Sequence, residues 1–175
     1  QSTGVINLNA ISNAPSGGQS NLYVSDGIST QGSDGLRIRR NLVTGSVSAI
    51  VINSSDGLSI KGNVVVGTFG IIQPTAASPA ELASAGIWLD SGTGSTVREN
   101  RVAAFAVGIL AGPLASGNTI TGNDATGNVT DCQQAVVTSV AGPLSNTWTD
   151  NLGNLDTPVG LCTNAPVSPI PGSPT

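Results

Sequence analysis

Short stretches of the chain alternate apolar and polar residues with a period of two, and one such stretch keeps returning. Asp34–Asn41 reads Asp-Gly-Leu-Arg-Ile-Arg-Arg-Asn, Asp56–Asn63 reads Asp-Gly-Leu-Ser-Ile-Lys-Gly-Asn, and Thr93–Asn100, Ser116–Asn123 and Leu144–Asn151 fit the same frame. Three positions before the shared asparagine the column is Ile38, Ile60, Val97, Ile120, Trp148, apolar throughout. One position later it is Arg39, Lys61, Arg98, Thr121, Thr149, polar throughout. That alternation predicts a strand with one buried face. A second apolar stretch precedes each segment (Asn21–Val24, Ala49–Ile52, Gly86–Leu89, Gly108–Ala111, Gln134–Val137), and a third follows it, as in Asn63–Val66 and Arg101–Ala104. The asparagines are 22, 37, 23 and 28 residues apart. A base period near 22 with loops inserted at one place predicts a solenoid of about five coils, three short strands each. Residues 70–85, with Pro74 and Pro79, form the largest insertion. No Asn-Gly hairpin turn and no amphipathic helical period appear, which excludes hairpin sandwiches and α/β layouts.

The pattern Gly-Ile-x-Leu, a short linker, then x-Ile-x-Gly-Asn-x-Val resembles the right-handed parallel β-helix repeat of pectate-lyase-like and NosD-type proteins, over about residues 20–160. The resemblance implies an all-β, single-domain fold in which Asn41, Asn63, Asn100, Asn123 and Asn151 stack as a ladder, their amides bonding to neighbouring rungs. Elementary chemistry agrees, because a sharp turn between strands needs a residue that tolerates the left-handed region and satisfies backbone groups. These asparagines are therefore read as structure rather than as a site. The resemblance says little about function, since the repeat is scaffold. Pectate-lyase-like catalysts use a calcium-binding Asp cluster with an Arg base, and related hydrolases use Asp pairs and a His.

Composition narrows the chemistry. The 175 residues include 23 Gly and 10 Pro, with only 9% charged, no His and no Met. Without His there is no Ser-His-Asp triad, no Cys-His pair and no imidazole metal site. The net charge of -4 and pI near 4.3 argue against a nucleic-acid partner, and no apolar run is long enough for a membrane span. No metal or other cofactor is expected. The ten acids are scattered and include no Asp-Asp pair. Asp34 and Asp56 occupy equivalent positions in successive coils, where Asp-Gly is good turn chemistry. Gln1 reads equally as a terminus left by signal removal or as an arbitrary boundary. Cys132 and Cys162 are too far apart for a CxxC motif and leave two readings: a disulfide closing a loop of about 30 residues in an exported protein, or two buried free thiols.

All six basic residues, Arg37, Arg39, Arg40, Lys61, Arg98 and Arg101, lie within four positions of a ladder asparagine. Arg39, Lys61 and Arg98 share the outward column and should stand about 5 Å apart along the axis. Such a row needs a counter-charge: an anionic glycan, an acidic surface on a neighbouring subunit, or a solvated face neutralised by Glu99 and Asp90. Arg37, Arg39, Lys61, Arg98 and Arg101 are the candidate contacts. The ends of the solenoid carry the other signal, since open strand edges invite pairing. Residues 1–19 read as one strand over 1–11, with Ile6, Leu8 and Ala10 facing one way, followed by a flexible tether. That strand could cap its own coil or a neighbour's. Residues 20–162 form the β-helix, and the Pro-rich residues 163–175 cannot continue the ladder. Two functions follow as expectations. One is a non-catalytic extracellular structural protein, a homopolymer through coil ends or strand exchange that forms a surface filament or matrix fibre. The other is a secreted β-helix that binds or modifies an anionic polysaccharide, in the manner of a lyase or epimerase.

Overall fold

The computed structural model describes residues 4–12, 26–67, 84–135 and 146–163. Three strands make each turn of the chain. The first turn contains β1 (Val5–Asn7), β2 (Ala10–Ser12) and β3 (Asp26–Gln31). The second contains β4 (Arg37–Arg39), β5 (Leu42–Thr44) and β6 (Ser48–Asn53), and the third β7 (Ser59–Lys61), β8 (Val64–Val66) and β9 (Ala85–Thr93). The fourth contains β10 (Thr96–Arg98), β11 (Arg101–Ala103) and β12 (Val107–Ser116). Then come β13 (Thr119–Thr121) and β14 (Thr130–Gln134), and finally β15 (Thr147–Thr149) and β16 (Asp156–Thr157). Strands of equal rank pair in parallel into three sheets: β1-β4-β7-β10-β13-β15, β2-β5-β8-β11 and β3-β6-β9-β12-β14-β16. Single bridges Arg101–Asp124–Leu152–Thr163 extend the second sheet where the strands give out. Parallel sheets wound this way make a right-handed parallel β-helix. Six rungs lie among the described residues, one more than the five asparagine segments suggested.

The period-two pattern fixes the interior. In the first sheet Ile6, Ile38, Ile60, Val97, Ile120 and Trp148 stand in register, and the middle four are wholly buried. Ile11, Val43, Val65 and Val102 do the same in the second sheet, and Ile28, Ile50, Ile87, Ile109 and Cys132 in the third. Burying one Val or Ile contributes about 1.5–3 kcal/mol. These columns form the centre of the core, and Ile52, Leu58, Leu89 and Phe105 fill it between them.

Three expectations need correction. Residues 1–11 are not one strand: the chain turns at Leu8, whose φ of 56° lies in the left-handed region. Ile6 and Ile11 therefore point inward, while Leu8 is 70% exposed and Ala10 also faces solvent. This segment pairs with its own chain, β1 on β4 and β2 on β5, so the helix begins at Val5 rather than after residue 19. Second, the third-sheet strands of the first and fifth rungs are Asp26–Gln31 and Thr130–Gln134, displaced from the stretches at 21–24 and 134–137. Register rather than local hydrophobicity decides: Ile28 and Cys132 continue the isoleucine column although polar residues surround them. Third, Trp88, expected in the core because it falls in the apolar stretch Gly86–Leu89, lies outside the main core, in a small cluster with Ala85, Val107 and Leu110. Residues 13–20, 21–24, 70–83, 136–137 and 164–175, with Tyr23, Phe69 and Glu81, lie outside the described residues.

Candidate functional site

Corners position the outward side chains. Between the first and second sheets the residue before each asparagine adopts a left-handed conformation: Leu8, Arg40, Gly62, Glu99, Gly122 and Asp150 all have φ between 54° and 64°. The turn aims the next side chain inward. Asn41, Asn63, Asn100, Asn123 and Asn151 are buried. Each carboxamide oxygen accepts from the backbone N–H and the Nδ2 of the asparagine one rung earlier, at 2.8–3.1 Å. The remaining Nδ2 hydrogen goes to the carbonyl of Ile6, Ile38, Ile60, Val97 or Ile120, at 2.9–3.1 Å. Asn9 begins this ladder as a sixth member; Ile6 and Asn7 keep the apolar and polar columns of the repeat, but reading Val5–Ile11 as one unbroken strand hides it. A second polar column, also missed, turns the third sheet into the first. There Ser95 Oγ accepts from Leu58 N–H, Asn118 Oδ1 from Ser95 N–H, and Asn146 Oδ1 from Asn118 N–H, at 2.8–3.1 Å. Its signal was available five positions before Asn100, Asn123 and Asn151.

The ladder holds the first sheet flat in register, and that sheet carries the cations. Outside the buried column run two others: Val5, Arg37, Ser59, Thr96, Thr119, Thr147, and Asn7, Arg39, Lys61, Arg98, Thr121, Thr149. Arg39, Lys61 and Arg98 thus occupy three consecutive rungs, spaced about 4.8 Å apart. Arg37 lies beside Arg39, Arg40 stands on the corner, and Arg101 opens β11 just beyond it. Four of the six basic residues of the chain lie on the first sheet, and the other two lie at its corner and just past it. Two carboxylates reach it. Glu99 bridges Lys61 (Nζ to Oε2, 3.2 Å) and Arg98 (Nη1 to Oε1, 3.6 Å), and Asp124 meets Arg101 Nε at 3.6 Å. Asp90 joins neither pair. Among the described residues Arg37, Arg39 and Arg40 have no ion-pair partner. Past Arg98 the outer columns turn to threonine hydroxyls, with Thr149 Oγ1 donating to Thr121 Oγ1 at 2.9 Å.

The other candidate groups serve the scaffold. Asp34 Oδ1 accepts from Asp56 N–H at 3.2 Å, and Asp56 Oδ1 accepts from Thr93 N–H at 2.6 Å, one rung to the next. Burial pushes Asp26 above its ordinary value, with a Ser29 hydrogen bond opposing; it starts β3, away from the cations. Cys132 and Cys162 form a disulfide, fastening the last turn across the third sheet. Buried Asp131 accepts from the backbone N–H groups of Asn128, Asn154 and Leu155. Asp156 accepts from those of Gly160, Leu161 and Cys162. Together these groups close the C-terminal end.

A family model described as "Periplasmic copper-binding protein (NosD)" matches residues 5–156, nearly the whole helix. The chain belongs to this family. No curated protein and no solved structure matches it. A periplasmic family and a disulfide, a bond that persists in oxidising compartments, make this an extracytoplasmic β-helix protein. No helix among the described residues is long and apolar enough to cross a membrane. The copper in the family description is a different matter. Copper sites draw on imidazole, thiolate and thioether donors, whereas this chain has no His and no Met and its two cysteines are spent on each other. Among the described residues no three His, Cys, Asp or Glu side chains gather where they could hold a metal ion. The residues present do not fit copper.

Proposed function

We propose that the chain is a non-catalytic, extracytoplasmic β-helix that holds an anionic polysaccharide, of the polyuronate type, along the outer face of its first sheet. One observation carries this reading: a protein of net charge -4 sets four of its six cations on the outer face of the first sheet and the other two at its corner and just past it, with Arg39, Lys61 and Arg98 in register on consecutive rungs. Like charges set about 4.8 Å apart cost free energy unless a partner offsets them. Three guanidinium groups there lack an acidic partner among the described residues. A polymer with one carboxylate per sugar offers a matching row of charges, and arginine takes carboxylates in two-pronged hydrogen bonds. The flanking Ser and Thr hydroxyls suit the sugar hydroxyls. The test is retention of the full chain in gels cast with polygalacturonate against gels with neutral dextran. The expected result is retardation by the polyuronate only, weakened by salt and abolished in an Arg37→Glu/Arg39→Glu double variant. Equal mobility in both gels refutes the reading.

Assembly through the helix ends is a second reading, with its own observation. Among the described residues β1 and β2 pair on one side only, and Val5 and Leu8 beside that open edge are more than half exposed. At the opposite end β15 and β16 likewise pair on one side only among the described residues, with the Cys132–Cys162 bond tying down the last turn. The arrangement supports association through the first rung, a filament needing a further contact elsewhere. Sedimentation that shifts with protein concentration, and is lost in a Val5→Lys/Leu8→Lys variant, would support it; a monomer at every concentration would end it.

A further inference from the structure

Glu99 sits where a residue of its type is disfavoured. At the corresponding corner the rungs before and after it place Gly62 and Gly122, both with left-handed φ. A side chain with a Cβ resists that conformation, so Glu99 holds its φ of 55° against a local cost. In exchange its carboxylate lies between Lys61 on the previous rung and Arg98 on its own, at 3.2 and 3.6 Å. Its side chain is 55% exposed, so no packing explains the choice. Leu8, Arg40 and Asp150 hold the same left-handed corner on other rungs, so what sets Glu99 apart is its ion pairing to two cations of the row.

We infer that Glu99 is a built-in competitor for the polyanion, a reading that rests on the face described above being its binding site. In the free chain the Glu99 carboxylate occupies two of the three cations in the axial row. Arg37, Arg39 and Arg40 are left as the open entry point on the second rung. A ligand with a single carboxylate is satisfied there and goes no further. A polymer that runs along the axis must displace Glu99 to reach Lys61 and Arg98. The displacement subtracts from its affinity, and only a chain long enough to gain both cations offsets it. Glu99 thereby sets a length threshold and keeps the row from holding small anions.

Two variants separate charge from strain. Glu99→Gln keeps the Cβ and the strained turn but removes the negative charge. Glu99→Gly removes both and restores the residue found on the neighbouring rungs. Affinity for size-fractionated polygalacturonate is measured at low salt by the gel shift used above, with thermal melting alongside. Both variants should bind about three- to tenfold more tightly, the range expected when exposed ion pairs no longer compete. Glu99→Gly should also melt higher than Glu99→Gln. Wild-type binding with no tightening in Glu99→Gln overturns the competitor while leaving the binding face intact. Tightening in Glu99→Gly alone also overturns it, because the backbone would then be responsible. If neither wild type nor variants bind, the face itself is not the site and the inference falls with it.

Discussion

Replacing Asn63 by alanine tests what the corner ladder contributes. The Asn63 side chain makes four hydrogen bonds and is buried. Its Oδ1 accepts from the Asn41 N–H and Nδ2 at 2.9 and 3.0 Å, and its Nδ2 donates to Ile38 O and Asn100 Oδ1 at 3.0 and 2.9 Å. In Asn63→Ala the buried backbone N–H of Asn41 and one of its amide hydrogens lose their acceptor, and Ile38 O loses a donor. Asn100 Oδ1 still receives the backbone N–H of residue 63. A buried polar group left without a partner costs about 1–3 kcal/mol, so three orphans that partly relax should cost about 3–5 kcal/mol. Asn9→Ala is the internal comparison: Asn9 starts the ladder, is exposed, and among the described residues its side chain gives one bond, to Asn41 Oδ1. It should cost about 0.5–1 kcal/mol. Urea unfolding followed by far-UV circular dichroism, with equal m-values checked before midpoints are compared, reads both. Equal losses in the two variants, or a loss below about 1 kcal/mol for Asn63→Ala, would refute the claim that buried amide satisfaction, rather than turn propensity, holds the rungs in register.

Other outcomes follow from the corners and the closed end. Leu8→Gly should stabilise by about 0.5–1 kcal/mol by urea titration, because the position is left-handed and the leucine is exposed, so little burial is lost. Reducing the Cys132–Cys162 bond, which spans 30 residues, should lower stability by about 2–4 kcal/mol, read as a drop in melting temperature with and without a phosphine reductant. For Asp156, slight burial alone would raise the pKa, but the N–H donors of Cys162, Gly160 and Leu161 outweigh it and hold the group below 3.8. A carboxylate lowered on folding stabilises above its unfolded pKa and loses that contribution as pH falls through the folded value. The margin of wild type over Asp156→Asn, at most about 1 kcal/mol after solvent screening, should therefore hold at neutral pH and vanish below pH 3.8 in melts across an acid series.

What could be read from the residues alone was whatever repeats with a fixed offset. The column Ile38, Ile60, Val97, Ile120, Trp148 is visible because each member sits three residues before an asparagine and must face inward for the same steric reason. The cation row was legible for the same cause, its members being the next residue along. Legibility failed where register is inherited rather than encoded. Thr130–Gln134 contains almost nothing apolar, yet Cys132 pairs with Ile109 because the chain re-enters a sheet already formed by earlier rungs. Leu8 misled differently: alternation continues through Val5–Ala10, and only the left-handed corner, which leucine disfavours, breaks it. Ion pairing across rungs was the part least available to sequence. Glu99 is adjacent to Arg98 on paper, but its bond to Lys61 spans a long insertion and exists only once the rungs stack.

Because the three-residue strands of the first and second sheets turn only their middle residue inward, this part of the fold separates its two tasks by side-chain parity. Inward residues and corner asparagines hold the rungs, and outward residues of the first sheet are free to carry chemistry. That separation explains how a family described by its copper binding can include a chain without copper's usual donors: the scaffold columns stay while the outer columns change. It also makes a demand on this protein. If Arg37 and Arg39 are outward and exposed, reversing both charges should change stability by no more than about 0.5 kcal/mol, as for surface positions generally. Reversal should even help slightly, since it dilutes a crowd of like charges. Truncating their inward neighbour, Ile38→Ala, should cost about 2–5 kcal/mol. Urea melts of the two variants decide the matter. A double charge reversal that destabilised as much as Ile38→Ala would mean the arginines hold the rungs together, and the loss of polyuronate binding in that variant would no longer speak for a binding face.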